Sequence, residues 1–232
     1  MLRLHIHTWL MPNEIQSLFL EGPAGRLEAL LNGGEPSASY AALVCHPHPL
    51  HGGTMHNKVV YHAAKTLSSF GLPVLRFNFR GAGLSEGVHD NGRGERDDIR
   101  AALDWLDRRY SLPIIFAGFS FGAATGLKAC CPDQRVIGLI ALGTPLAVAD
   151  RLYTYTYLSQ CGKPKLMVSG DQDAFGPVAN LREIFHLAAE PKELILVEGA
   201  DHFFQGKLPM MQQAISDWLI KQFPGVTVAQ RA

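Results

Sequence analysis

No excess charge of either sign is present: 21 lysines and arginines face 21 aspartates and glutamates. A balanced chain offers no long-range field to nucleic acid or to an anionic membrane, so the expected partner is a small molecule held in a pocket. Cysteine is scarce too. Cys45, Cys130, Cys131 and Cys161 show no CxxC spacing, and the adjacent pair makes a poor disulfide framework. They are expected to be reduced thiols of a cytoplasmic protein. Long apolar runs are also missing. None reaches membrane-spanning length, and the start, "MLRLHIHTWLMPNE", is too short and too polar for the apolar segment of a signal peptide.

What is present is enough for one sizeable core. The chain has 232 residues, 47% of them hydrophobic and 18% charged, which suits a single globular domain over 1–232. Two β-rich runs near 15–20 and 26–31 flank "GPAG" and read as a hairpin. "YAALVC" (40–45), "PVLRFNF" (73–79), "IIFAGF" (114–119), "VIGLIAL" (136–142), "KLMVSG" (165–170) and "ELILVEG" (193–199) read as further strands. Helical spacing marks 58–70, 96–110, about 121–130, 178–189 and 210–223. Continuous rather than alternating apolar strands predict an α/β fold: a mostly parallel sheet of about eight strands with helices on both faces. No internal repeat or low-complexity tract interrupts the series. In such sheets the site lies at the carboxyl ends of the strands.

One of those ends carries "GFSFG", residues 118–122. A serine hydroxyl is a weak nucleophile until a base removes its proton, and it must project clear of the backbone. A sharp strand–turn–helix elbow achieves this, with Gly118 and Gly122 relieving the crowding around Ser120. The helix that follows aims backbone N–H groups and its positive end at the reacting centre. A glycine-rich turn of no consequence is the competing reading. Downstream, "GDQDAFGP" offers Asp171 and Asp173, and "GADHFF" offers Asp201 and His202, each just beyond a strand. The order Ser…Asp…His matches one class of hydrolases.

Together, "CHPHPLHGGTMHNKVV", "LRFNFRGAGLSEG", "GFSFG", "GDQDAFGP" and "GADHFF" resemble the α/β-hydrolases, in particular the small bacterial serine hydrolases near dienelactone hydrolase and simple carboxylesterases. The resemblance runs from about residue 15 to 222. It implies Ser120 as nucleophile and His202 as general base and then general acid. The family's spacing of the acid, three residues after a glycine and four before a proline, fits Gly170, Asp173 and Pro177, so Asp173 is the expected orienting acid. Asp171 is expected to hold the turn, and Asp201 to be structural. The family pattern begins at "MPNEIQSLFLEGPAG", which leaves residues 1–10 as an extension or a misassigned start, within a possible N-terminal extension over 1–14.

The resemblance also implies an oxyanion hole. Phe121, after the nucleophile, supplies one backbone N–H, and the loop after the 40–45 strand supplies the other. Pro47 and Pro49 have no N–H to give, which leaves His48, with Leu50 as fallback. His46, His48, His51 and His56 crowd this loop, but their spacing fits no standard zinc motif, so no metal is expected. "GAGLSEG" (81–87) imitates a nucleotide-binding glycine loop, but it lies in the wrong βα unit, and no cofactor is expected. It implies instead a turn beside the site, carried by Arg80, Gly81, Gly83 and Ser85.

The expected activity is cleavage of small carboxylic esters through an acyl-enzyme on Ser120. Thioesters, lactones, amides or peptides on the same residues are alternatives, as is a non-catalytic binding protein with this fold. A short cap or loop over 145–163 implies an open pocket, whose mouth Tyr153, Tyr155 and Tyr157 could line. No nucleic-acid or membrane partner is expected, and the protein is expected to be a monomer or homodimer.

Overall fold

The computed structural model describes residues 15–148 and 151–226; the expected N-terminal extension over 1–14 lies outside them. Eight strands form one sheet: β1 (Ile15–Gly22), β2 (Gly25–Asn32), β3 (Ala41–Cys45), β4 (Val74–Phe77), β5 (Ile114–Phe119), β6 (Val136–Leu142), β9 (Lys165–Gly170) and β10 (Lys192–Val197). Their order is β1-β2-β4-β3-β5-β6-β9-β10. The first three pair antiparallel and the remainder are parallel. The sequence signals differ accordingly. Every residue of β3, β4, β5 and β9 is buried, as strands covered on both faces must be, whereas the edge strand β1 is mostly exposed.

Five helices cover the two faces: α1 (Lys58–Ser68), α2 (Gly94–Tyr110), α3 (Phe121–Cys130), α4 (Val178–Leu187) and α5 (Leu208–Gln222). One core packs Ile99 and Leu103 of α2, Leu127 of α3 and Leu181 of α4 against the sheet. The other packs Val60 and Leu67 of α1 with Ile215 and Trp218 of α5. Local chemistry sets the ends. The Asn57 side chain accepts from the Val59 N–H at 2.9 Å to start α1. Acids in the first turn of α2 and arginines in its last suit the helix dipole.

The chain passes from β3 outward to β4, then returns to β5 on the other side of β3. The direction of winding thus reverses between β3 and β5. Their carboxyl ends diverge there and open the crevice in which ligands of such sheets bind.

Between β6 and β9 the chain forms two short antiparallel strands, β7 (Ala147–Val148) and β8 (Arg151–Leu152), and a 3-10 turn over Thr156–Gln160. The structure corrects one expectation here. Cys131 and Cys161 form a disulfide with their Cα atoms 5.7 Å apart, while Cys45 and Cys130 stay buried thiols. The neighbours 130 and 131 do not pair with each other. Cys130 faces the core at the end of α3, and Cys131 meets a partner 30 residues away, a contact that spacing could not reveal.

Candidate active site

Ser120 lies between the last residue of β5 and the first of α3. Its backbone has φ +53° and ψ −119°, a conformation that costs a non-glycine residue energy and is kept only where the surroundings impose it. The flanking glycines answer to sterics. A Cβ on Gly118 would come 2.6 Å from the Gly122 carbonyl oxygen, and one on Gly122 would come 2.5 Å from that of His46. The start of α3 is therefore pressed directly onto the end of β3, with no room for a side chain between them.

Asp173 and His202 follow β9 and β10, the strands beyond β6. His202 Nε2 is 2.9 Å from Ser120 Oγ, and His202 Nδ1 is 2.8 Å from Asp173 Oδ2. An ionised carboxylate only accepts, so Nδ1 carries the proton and Nε2 is left to accept from the hydroxyl. All three residues are buried. Phe119, Phe175 and Phe203 surround the imidazole at ring separations of 4.9, 4.6 and 5.2 Å.

Asp173 is held on every side. Its Oδ1 accepts from the Phe175 and Gly176 N–H groups at 2.8 and 3.2 Å, and its Oδ2 also accepts from Ser169 Oγ at 3.2 Å. Burial alone would raise its pKa, but the His202 hydrogen bond and charge, with the two N–H groups, outweigh it and hold the carboxyl below the usual range. The other two acids point away. Asp171 Oδ1 accepts from the Gly199 N–H at 2.8 Å and ties the two loops together. Asp201 Oδ1 accepts from the N–H groups of Phe203 and Gln205 in its own turn.

The loop after β3 forms the opposite wall. Leu50, exposed at 67%, gives its N–H to His48 Nδ1 at 3.3 Å. The His48 ring packs 4.9 Å from Phe121, the first residue of α3. His46 is fully buried: its Nδ1 lies 2.6 Å from the Pro47 oxygen, and its Nε2 accepts from the Phe79 N–H at 2.9 Å. Both nitrogens are committed, Nδ1 within its own loop and Nε2 in pinning the end of β3 to the chain after β4. Burial, and secondarily the nearby His48, lower its pKa to about 3 against the pull of the Pro47 carbonyl, so it stays neutral. Among the described residues, no group of three His, Cys, Asp or Glu side chains is placed to hold a metal.

The "GAGLSEG" turn is fixed by buried polar bonds. Arg80 gives its backbone N–H, Nε and Nη2 to Asp98, and Ser85 Oγ donates to the Asn78 carbonyl at 2.6 Å. Sequence reading passed over the pair behind it. Glu95, fully buried, lies 2.7 Å from His89 Nδ1 and accepts from the N–H groups of Asp90 and Gly92. The His89 ring in turn packs against His48 and Phe121. A histidine and a glutamate six positions apart form no motif, so nothing in the sequence announced them. Of the three alternating tyrosines, Tyr155 turns inward, and its hydroxyl donates to the Pro145 carbonyl at 2.6 Å.

Comparison with known proteins follows the same lines. Residues 42–214 match the alpha/beta hydrolase domain family. The chain is 35% identical over 210 residues to an uncharacterized protein of Rickettsia prowazekii, covering 88% of each. A Coxiella burnetii structure described as an alpha-beta serine hydrolase homologue superposes with a TM-score of 0.81 at 38% identity, covering 90% of this chain and 99% of that one. A Xanthomonas campestris structure described as a serine hydrolase without lid gives 0.81 at 32% identity, covering 94% and 99%.

Proposed function

Because the chain belongs to the alpha/beta hydrolase family, we propose that it is a serine hydrolase that cleaves small carboxylic esters through an acyl-enzyme on Ser120. The observation that carries this is the continuous relay of hydrogen bonds from Ser120 Oγ through His202 to Asp173. His202 Nε2 takes the hydroxyl proton as Oγ attacks the carbonyl carbon, and Asp173 stabilises the resulting imidazolium. The imidazolium then protonates the departing alcohol. Water, deprotonated by the same nitrogen, releases the acid and restores Ser120.

The developing oxyanion is held by backbone N–H groups of Phe121 and His48, each worth about 3–4 kcal/mol of barrier. The engagement of the Leu50 N–H by the His48 ring supports His48 over Leu50 as second donor. Phe121, as the first residue of α3, belongs to the turn whose N–H groups lack acceptors within the helix.

Small esters are favoured by the rim. Phe175 and Phe203 stand exposed against the His202 ring, and Leu50 stands exposed on the loop after β3, apolar contacts for a short chain. The short β6–β9 connection and the lidless description of the Xanthomonas campestris relative support an open site. The substrate is a small molecule, with no cofactor, nucleic acid or membrane partner, and the enzyme acts as a monomer or homodimer. A cytoplasmic location belongs to the same proposal, although the Cys131–Cys161 bridge weighs against it, since cytosolic thiols are kept reduced.

The test is labelling with a fluorophosphonate, with turnover of p-nitrophenyl esters measured in parallel. Wild-type protein is expected to label and to hydrolyse acetate and butyrate esters, and Ser120→Ala to do neither. Absence of both in the wild type would favour the non-catalytic binding reading.

A further inference from the structure

A cavity lies not over Ser120 but one helical turn along α3. It has a volume of about 160 Å³ and lies between α3, the start of α2 and the segment after β8. That is well above the ~10–15 Å³ that a single water needs. Arg93, Arg96 and Lys128 line it, and no acidic side chain does. Arg93 is already paired with Asp90 at 3.2 Å. Among the described residues, neither Arg96 nor Lys128 has an acid within ion-pair distance.

Two buried polar atoms there lack partners. Thr125, only 4% exposed, lines the cavity, and its Oγ1 has no hydrogen-bond partner. The Nε–H of Arg96 is likewise buried and unbonded. Leaving such groups unsatisfied costs about 1–3 kcal/mol each, and both residues line this one cavity beside cations that have no acid partner. The wall is also rigid. Buried Glu95 clamps the Asp90 and Gly92 N–H groups, and Gly92 and Arg93 line the cavity.

The cavity begins one helical turn along α3 from Ser120. Ala124, on its wall, gives its N–H to the Ser120 carbonyl at 3.0 Å, and one turn of helix advances about 5.4 Å. We propose that this cavity binds the anionic end of the substrate, a carboxylate or phosphate on an ester whose carbonyl lies at Ser120. Arg96 and Lys128 supply the charge and the hydrogen-bond donors, with Thr125 on the wall beside them. The inference rests on the ester-hydrolase reading for its kinetic form and adds a substrate class to it.

The experiment compares matched neutral and anionic esters. On the acyl side these are p-nitrophenyl pentanoate and the p-nitrophenyl half-ester of glutarate. On the alcohol side they are methyl 4-butyryloxybenzoate and 4-butyryloxybenzoate. Wild-type enzyme is expected to prefer the anionic member of at least one pair. Arg96→Gln and Lys128→Gln, singly, should lower its kcat/KM about tenfold or more, with the neutral ester changed less than twofold. Thr125→Val should act in the same direction more weakly, and added salt should erode the preference. Unchanged ratios in both variants for both pairs would overturn the proposal while leaving the hydrolase intact.

If the wild type hydrolyses no ester, calorimetry with inorganic phosphate on the full-length protein decides the matter. Binding that is lost in Arg96→Gln supports the anion site and discards only the hydrolase reading. No binding discards the site.

Discussion

Ser120 stands between two kinds of loop. On the β9–β10 side, a few polar bonds serve three side chains: Asp173 holds His202, and His202 meets the hydroxyl. On the β3–β4 side, a dense set of buried bonds joins residues with no part in the proposed chemistry. There Arg80 is clamped to Asp98, His46 pins Phe79, and Glu95 gathers the 89–92 turn. One flank is arranged to react and the other to keep a wall still. Substitutions on the first should therefore abolish turnover with little effect on folding, and those on the second should do the reverse.

The largest expected effect lies on the reacting flank. Asp173→Asn removes the acceptor that fixes the His202 tautomer, and kcat/KM for p-nitrophenyl butyrate should fall by about 10³–10⁴, with the melting temperature moved by only a few degrees. A loss below tenfold would break the contrast. Next comes Asp98→Ala on the other flank. It strands Arg80 in a site where that side chain is 11% exposed and Asp98 is fully buried. Chemical denaturation should register a loss of about 3–5 kcal/mol, and protein that stays folded should keep labelling at Ser120.

The smallest effect is acid sensitivity. His46 has a folded pKa of about 3, below the ~6.5 of an unfolded histidine, so the unfolded chain binds a proton between these values that the folded one refuses. Its contribution is complete above pH 6.5 and fades as pH falls. Unfolding free energy should drop by about 2 kcal/mol from this group between pH 7 and pH 5. His46→Asn should flatten that part of the profile at the cost of lower stability throughout. An unaltered slope would reassign the acid sensitivity to other groups.

The same contrast explains what could be read in advance. Strands such as 136–142 and 165–170, and the helix 121–130, were legible to the residue because continuous apolar runs and glycine punctuation are local signals. Ser120, Asp173 and His202 were legible because each lies at a strand end with a short, recognisable spacing. The role of His46 was not, since its Nε2 acceptor bond reaches a residue 33 positions away. His89 with Glu95, and Cys131 with Cys161, were hidden for related reasons: their partners are set by how loops fold back, and charge or thiol content alone does not say toward what. Arg96 and Thr125 looked like ordinary members of helices, and only the unmet donors of the folded protein single them out.

The bare contact between Gly122 and the carbonyls of Cys45 and His46 has a practical reach. It welds the attacking residue and the proposed oxyanion loop into one body, so neither can be tuned without disturbing the other. Anyone wishing to redirect this protein toward new compounds would do better to leave that joint alone and rework the stretch after β8, where Leu152 is exposed.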